Sequence, residues 1–184
     1  VTPRTRDFGL AGLWLMLDQI TKIWADRSLD TPITIIPGFF NLSLSHNRGA
    51  LFGMMSEWTG LARIIFLTLL PIIAVFAIAW LLARMPPAER WGRFGLALIL
   101  GGAVGNLVDR AVYGHVVDFL DVYIAWRPLA SFLVDWFGTA RWPTFNVADM
   151  GLTCGAALWI ADTLFRRDSD SLSADDGTEN ASKV

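Results

Sequence analysis

Residues 64 to 83 read IIFLTLLPIIAVFAIAWLLA, a run without a single charge. As a helix of about 1.5 Å per residue it covers roughly 30 Å, the hydrocarbon thickness of a bilayer. Pro71 inside it is tolerable, because a membrane helix finds other partners for the freed carbonyl. Further apolar stretches flank this one, at about Phe8–Trp24, Phe94–Val112 and Phe145–Phe165. The whole chain agrees: of 184 residues 54% are hydrophobic, 16 are Gly, and only 17% are charged. Soluble domains usually carry about 25% charge. Four spans of ~20 residues use roughly 80 positions and leave about 100 for loops and tails. The reading is an all-α membrane protein with four transmembrane helices.

The first apolar run has no small-residue cleavage site behind it and reads as a retained span. Short basic loops set orientation, since Lys and Arg stay on the cytoplasmic side. Arg4 and Arg6 precede span one, Arg84, Arg90 and Arg93 crowd the connection between spans two and three, and Arg166 and Arg167 follow span four. The connections 25–63 and 113–144 are sparser in basic residues. Both termini are therefore expected inside. Residues 1–167 read as one integral-membrane domain. Residues 168–184, acidic and Ser-rich, read as a disordered cytoplasmic tail, where Asn180-Ala181-Ser182 matches a glycosylation acceptor by chance. The net charge of −2 excludes a strongly basic nucleic-acid binder. One cysteine excludes an intrachain disulfide or Cys-rich zinc site, and two histidines leave little for a metal.

With this topology the costly polar residues share one layer. Asp18 and Lys22 end span one, Asn106, Asp109 and Arg110 end span three, and Asn146 and Asp149 begin span four, all on the outer side. Ionisable residues within spans are functional candidates by default. The bland alternative is that charges near span ends reach the interface, but three spans converging on one leaflet point to a polar site. Asp18 and Lys22, four apart, read equally as an isolated helix ion pair. Asn146 and Asp149, three apart, read equally as an N-cap pair. Gly101 and Gly105 are a packing pair, and Cys154 reads as a small buried hydrophobe.

The outer connections carry the rest. In Ile33–Asn47, Leu42 and Leu44 alternate with Ser43 and Ser45, a strand period, and Pro37-Gly38 splits the run. A small extracytoplasmic β-rich cradle follows, either a structural rim or a substrate cradle, with Ala50–Trp58 as a short interfacial helix. Leu129–Phe137 with Trp142 reads as an aromatic-rich interfacial anchor. Asp118 lies among Val116, Val117, Phe119 and Leu120, where desolvation raises a carboxyl pKa. Two aspartates facing each other can share a proton and activate water without metal or cofactor, and neither is expected here.

In order along the chain stand Asp18-Gln19 with Lys22, Asn47-Arg48-Gly49-Ala50 with Phe52, and Gly105-Asn106 with Asp109-Arg110. Then come Gly114 with Val116-Val117-Asp118-Phe119, and Phe145-Asn146 with Ala148-Asp149. These five blocks resemble the lipoprotein signal peptidases (signal peptidase II). The resemblance covers Asp18 to Asp149 and implies a bacterial membrane aspartyl endopeptidase of the inner membrane, multi-pass, with its site near the periplasmic face. It implies cleavage of prolipoproteins just before a diacylglyceryl-modified cysteine, and block by the cyclic peptide globomycin. The matching positions make Asp118 and Asp149 the catalytic pair. Asn47, Asn106, Arg110 and Asn146 support the site or hold substrate, and Asp18 and Lys22 are structural or substrate-orienting. Prolipoprotein and membrane lipid are the implied partners, and a monomer is expected.

The chain departs from the family in a longer Val122–Pro143 segment and in Leu51, where Ala is usual. These bear on loop conformation and substrate fit. The competing class is a small proton- or ion-coupled transporter, which should place ionisable residues at several depths. Here Asp162 stands alone near the inner end.

Overall fold

The computed structural model describes residues 2–49 and 60–181, with side chains described as far as 166 except at 63. Helix α1 (Pro3–Ser28) starts at Thr2, whose side chain accepts from the Thr5 amide at 3.2 Å. Its buried residues are Asp7, Ala11, Asp18, Lys22 and Ala25, one stripe at helical spacing. Leu13, Met16, Leu17, Ile20, Ile23 and Trp24 are exposed instead. Polar inside and apolar outside inverts the soluble pattern, as lipid solvation requires.

The apolar run forms one helix, Gly60–Arg84, made of α2 (Gly60–Ile64), a π-helical turn (Ile65–Leu69) and α3 (Leu70–Arg84). Pro71 cannot donate to the carbonyl of Leu67, and the wider turn lies at that place. Helix α4 (Arg90–Tyr113) is the most buried and packs against α1, α3 and α6. Gly101 abuts the Ala11 backbone and Gly105 the Asp18 carboxylate, so a Cβ at either would collide. This is the close approach expected of that pair. Helix α6 (Val147–Ala181) also runs on as helix through the segment expected to be a disordered tail. Gly60–Arg84, Arg90–Tyr113 and Val147–Arg166 are long and apolar enough to cross a membrane, whereas α1 carries its charges inside the apolar run.

Strands β1 (Ile33–Ile36) and β2 (Phe40–Asn47) are the two pieces expected around Pro37-Gly38. The sheet has a third member that the residue pattern does not announce, β3 (Val116–Val122), antiparallel to β2 with Ser45 opposite Asp118 and Asn47 opposite Val116. It leaves α4 through Gly114, whose φ of 73° closes the helix on Arg110. Phe145 clamps β3 to the start of α6, accepting from the amides of Phe119 and Leu120 and donating to Leu120. Ala25, Leu29 and Phe119 form the core beneath the sheet. The expected Ala50–Trp58 helix lies outside the described residues.

Helix α5 (Arg127–Phe137) has no buried residue and exposes Phe132, Val134, Trp136 and Phe137. Arg141 ties the segment to the sheet through buried Asp121 at 2.5 Å.

Two expectations are corrected. Cys154 is exposed, because Gly151 and Gly155 are the positions of that turn that meet α4. Asp162 is not alone. Arg93 is buried against Asp7 at 2.5 Å and donates to the Met85 carbonyl, while Asp162 pairs with Arg166 at 3.0 Å. The helix end opposite the polar layer therefore has its own ion pairs.

Candidate active site

Helix α6 begins with a reciprocal cap. Asn146 Oδ1 accepts from the Asp149 amide at 3.0 Å, and Asp149 Oδ2 accepts from the Asn146 amide at 3.2 Å. The capping reading is therefore correct, but capping leaves Asn146 Nδ2 and Asp149 Oδ1 unused, and both point to other elements. Asn146 Nδ2 donates to Asp118 Oδ1 at 2.7 Å and to the Val117 carbonyl at 3.3 Å. Asp149 Oδ1 accepts from Asn106 Nδ2 at 2.9 Å. One asparagine thus holds a carboxylate on either side.

Asp118 reaches this place because β3 starts directly after α4, and β2 supplies its other partner. Asn47 Nδ2 donates to Asp118 Oδ2 at 3.0 Å. Asp118 is only 1% exposed, while Asp149 is half-buried. Burial pushes the Asp118 carboxyl up to about 7, and the negative charge of Asp149 adds to the effect. The two asparagine hydrogen bonds and Lys22 oppose it. Two nearby carboxyls in unequal environments suit one to hold a proton while the other accepts one.

Beneath the aspartates lies a buried polar layer. Lys22 Nζ meets Asp18 Oδ2, Asp109 Oδ2 and Asn106 Oδ1, each at 2.9 Å. Asp18 and Lys22 are therefore not an isolated pair, and neither reaches the interface. Asp18 Oδ1 accepts from the Ala148 amide at 2.8 Å and Asp109 Oδ2 from the Val117 amide at 3.1 Å. Arg110 donates to the carbonyls of Asn106 and Gly49 at 3.2 and 3.3 Å. Asp18, Lys22, Asn47, Asn106, Arg110, Asp118, Asn146 and Asp149 thus form one connected network.

The residue reading passed over Gln19 as a site member and placed Asp109 in the polar layer without giving it a role. Gln19 Nε2 donates to Asp18 at 3.1 Å, Asp109 at 3.0 Å and the Gly105 carbonyl at 3.3 Å. Asp109 is one turn beyond Asn106 on the same helix face, so both meet Lys22. Thr68 carries no signal in the sequence, yet it lines two cavities. One of about 330 Å³ is bounded by Asn47, Arg48, Arg110 and His115. The other, about 260 Å³ and mostly apolar, lies between the second long helix and α4 along Ile72, Leu107 and Val108. Thr68 and Arg110 belong to both. His46 and His115 stack with ring centres 4.4 Å apart, His46 bonded to Asp26 at 2.9 Å. Burial, then the neighbouring His46, lowers the His115 pKa.

The family described as Signal peptidase (SPase) II matches residues 10–165, which include every residue of this network. The chain belongs to the signal peptidase II family. A lipoprotein signal peptidase of Ralstonia nicotianae is 44% identical over 162 residues, covering 86% of this chain and 83% of its own. One of Francisella tularensis subsp. novicida is 37% identical over 166 residues, covering 90% of this chain and 95% of its own. Among solved structures, a bacterial membrane enzyme determined by the in meso method at 2.3 Å resolution has a TM-score of 0.71 at 26% identity, covering 90% of this chain and 91% of that one. Membership in signal peptidase II makes the chain a protease, its apolar helices fit a multi-pass bacterial membrane protein, and the transporter alternative is not favoured.

Proposed function

We propose that this signal peptidase II is an aspartic endopeptidase that removes the signal peptide from diacylglyceryl-modified prolipoproteins, cutting before the lipidated Cys. The observation that carries the reading is the Asn146 bridge, whose Nδ2 donates to buried Asp118 while its backbone amide donates to the half-buried Asp149 carboxylate. Asp149 takes a proton from water, whose oxygen bonds to the scissile carbonyl carbon. Asp118, starting protonated, polarises the carbonyl oxygen and passes its proton to it. The tetrahedral adduct collapses as the C–N bond breaks and a proton from the pair goes to the leaving nitrogen. Asn47, Asn106 and Asn146 hold the carboxyls, and Arg110 steadies the Gly49 carbonyl at the cavity mouth. No metal or cofactor takes part in these steps.

Prolipoprotein as substrate is supported by the names of the relatives. The apolar cavity between the second long helix and α4 suits a diacylglyceryl group, with the scissile amide passing Thr68 and Arg110 into the polar cavity. Four spans with both termini inside put this layer at the periplasmic face of the inner membrane, with 168–184 as a cytoplasmic tail and α5 anchored in the outer interface. The active unit is a monomer. The test is incubation of purified protein in detergent with a diacylglyceryl-modified precursor. A cut before the modified Cys, blocked by globomycin and lost in Asp118→Asn and Asp149→Asn, is expected. Cleavage that survives either substitution refutes the aspartic mechanism.

A further inference from the structure

The buried layer beneath the aspartates converges on one cation. Lys22 is 2% exposed, and its contacts with Asp18, Asp109 and Asn106 use all the hydrogens an ammonium has. Each acceptor reaches one step further. Asp18 holds the amide of Ala148, the residue before Asp149, and Asp109 holds the amide of Val117, the residue before Asp118. Asn106 donates to Asp149 itself. A cluster that served packing alone could satisfy these carboxylates within α1 and α4. This one directs an oxygen from each to the backbone beside a candidate catalytic group.

The Asn106 amide carries the sharper consequence. A carboxamide has a donor end and an acceptor end, and an ammonium can only donate. Lys22 therefore draws Oδ1 toward itself, and Asn146 Nδ2 donates to the same oxygen at 3.3 Å. The Nδ2 end is left facing Asp149. Turned over, the amide would set N–H groups against the ammonium and a lone pair against a carboxylate.

We propose that Lys22 is the positioning residue of this site, holding the two aspartates in register through their neighbouring amides and fixing the Asn106 amide so that Asp149 receives its hydrogen bond. The proposal rests on the aspartate-pair reading above. Among the described residues, the charged groups around the pair are Asp18 and Lys22 from α1 and Asp109 and Arg110 from α4, with Asp118 on β3 and Asp149 on α6.

The test compares wild type with Lys22→Met, of similar length but without donors, in detergent with the modified precursor. The double variant Lys22→Met/Asp109→Asn runs beside it, because it keeps the net charge of the cluster and folds where the single variant does not. In the folded variants kcat falls ~10–100-fold with KM within about twofold, and the acid limb of kcat/KM moves up by about one pH unit as the pair's anion loses a donor. An acid limb left at its wild-type position in a folded variant overturns the proposal, whether or not kcat falls. Asp149→Asn in the same assay separates the two readings. If it still cleaves, the aspartate pair fails and the positioning role with it. If it is inactive while Lys22→Met keeps the wild-type profile, only the role of Lys22 fails.

Discussion

Asn146 Nδ2 donates to Asp118 Oδ1 across 2.7 Å, while the same residue caps the helix that carries Asp149. A helix cap and the bridge to Asp118 are thus one side chain. Asn146→Ala should remove both. The cap is worth about 1 kcal/mol of stability, visible as a lower Tm in detergent. The bridge should appear separately, as a kcat loss of ~10²-fold or more, the scale of acid–base catalysis. Asn146→Ser retains a cap but cannot reach Asp118, so it should recover Tm without recovering kcat. Parallel recovery of both would show that only the cap matters.

Asp118 has a carboxyl raised from 3.8 to about 7. Its sign follows from linkage: the folded state holds this proton more tightly than the unfolded chain, so its contribution is present below pH 3.8 and lost as pH rises through about 7. Asp118→Asn, permanently neutral, should therefore be more thermostable than wild type at pH 8, by an amount on the order of a few kcal/mol. The difference should shrink toward zero below pH 4. Thermal melts at the two pH values check it, and a variant less stable at pH 8 contradicts the buried-carboxyl reading.

Which aspartate carries the proton at rest is accessible to infrared difference spectroscopy. Asp118→Asn should abolish the protonated-carboxyl band near the activity optimum, and Asp149→Asn should leave it. Coupled groups titrate as a pair, so a pH–rate profile alone does not assign the sites. The opposite pattern of bands exchanges the two roles.

Lipid recognition should reside in the apolar cavity beside α4. Leu107→Asn and Val108→Asn are expected to raise KM for the modified precursor and leave kcat within about twofold. Wild type should cut an unmodified precursor much more slowly, since buried acyl carbon contributes ~0.8 kcal/mol per CH₂. Equal rates on the two precursors would remove this cavity from the account.

Helix α5 exposes Phe132, Val134, Trp136 and Phe137. In bilayers, a nitroxide attached at position 136 should be shielded from an aqueous relaxation agent and lie at headgroup depth. Full aqueous access would place the helix away from the membrane.

The membrane character and the polar layer were legible in the residue order because they rest on local rules. Helices in lipid need long apolar runs, and an Asp, Asn or Lys inside one is too costly to be incidental. Spacing alone showed Asn146 and Asp149 as a cap, Asp18 and Lys22 as a pair, and the two strands around Pro37-Gly38. What spacing could not show is which groups meet across elements. Asp118 sits in a run, Val116–Val122, that reads as apolar company around a carboxylate, and only pairing with β2 and the Phe145 clamp make it a strand facing Asn146. Asp109 and Gln19 matter because α1 and α4 come close at Gly101 and Gly105. Arg93 stands in a short basic connection, and nothing in its spacing shows that Asp7 is buried against it. Hydrophobic patterning decides where a segment lies relative to lipid. Hydrogen bonds are short and directional, so which donor meets which acceptor was decided only by the packing of the helices and the register of the sheet.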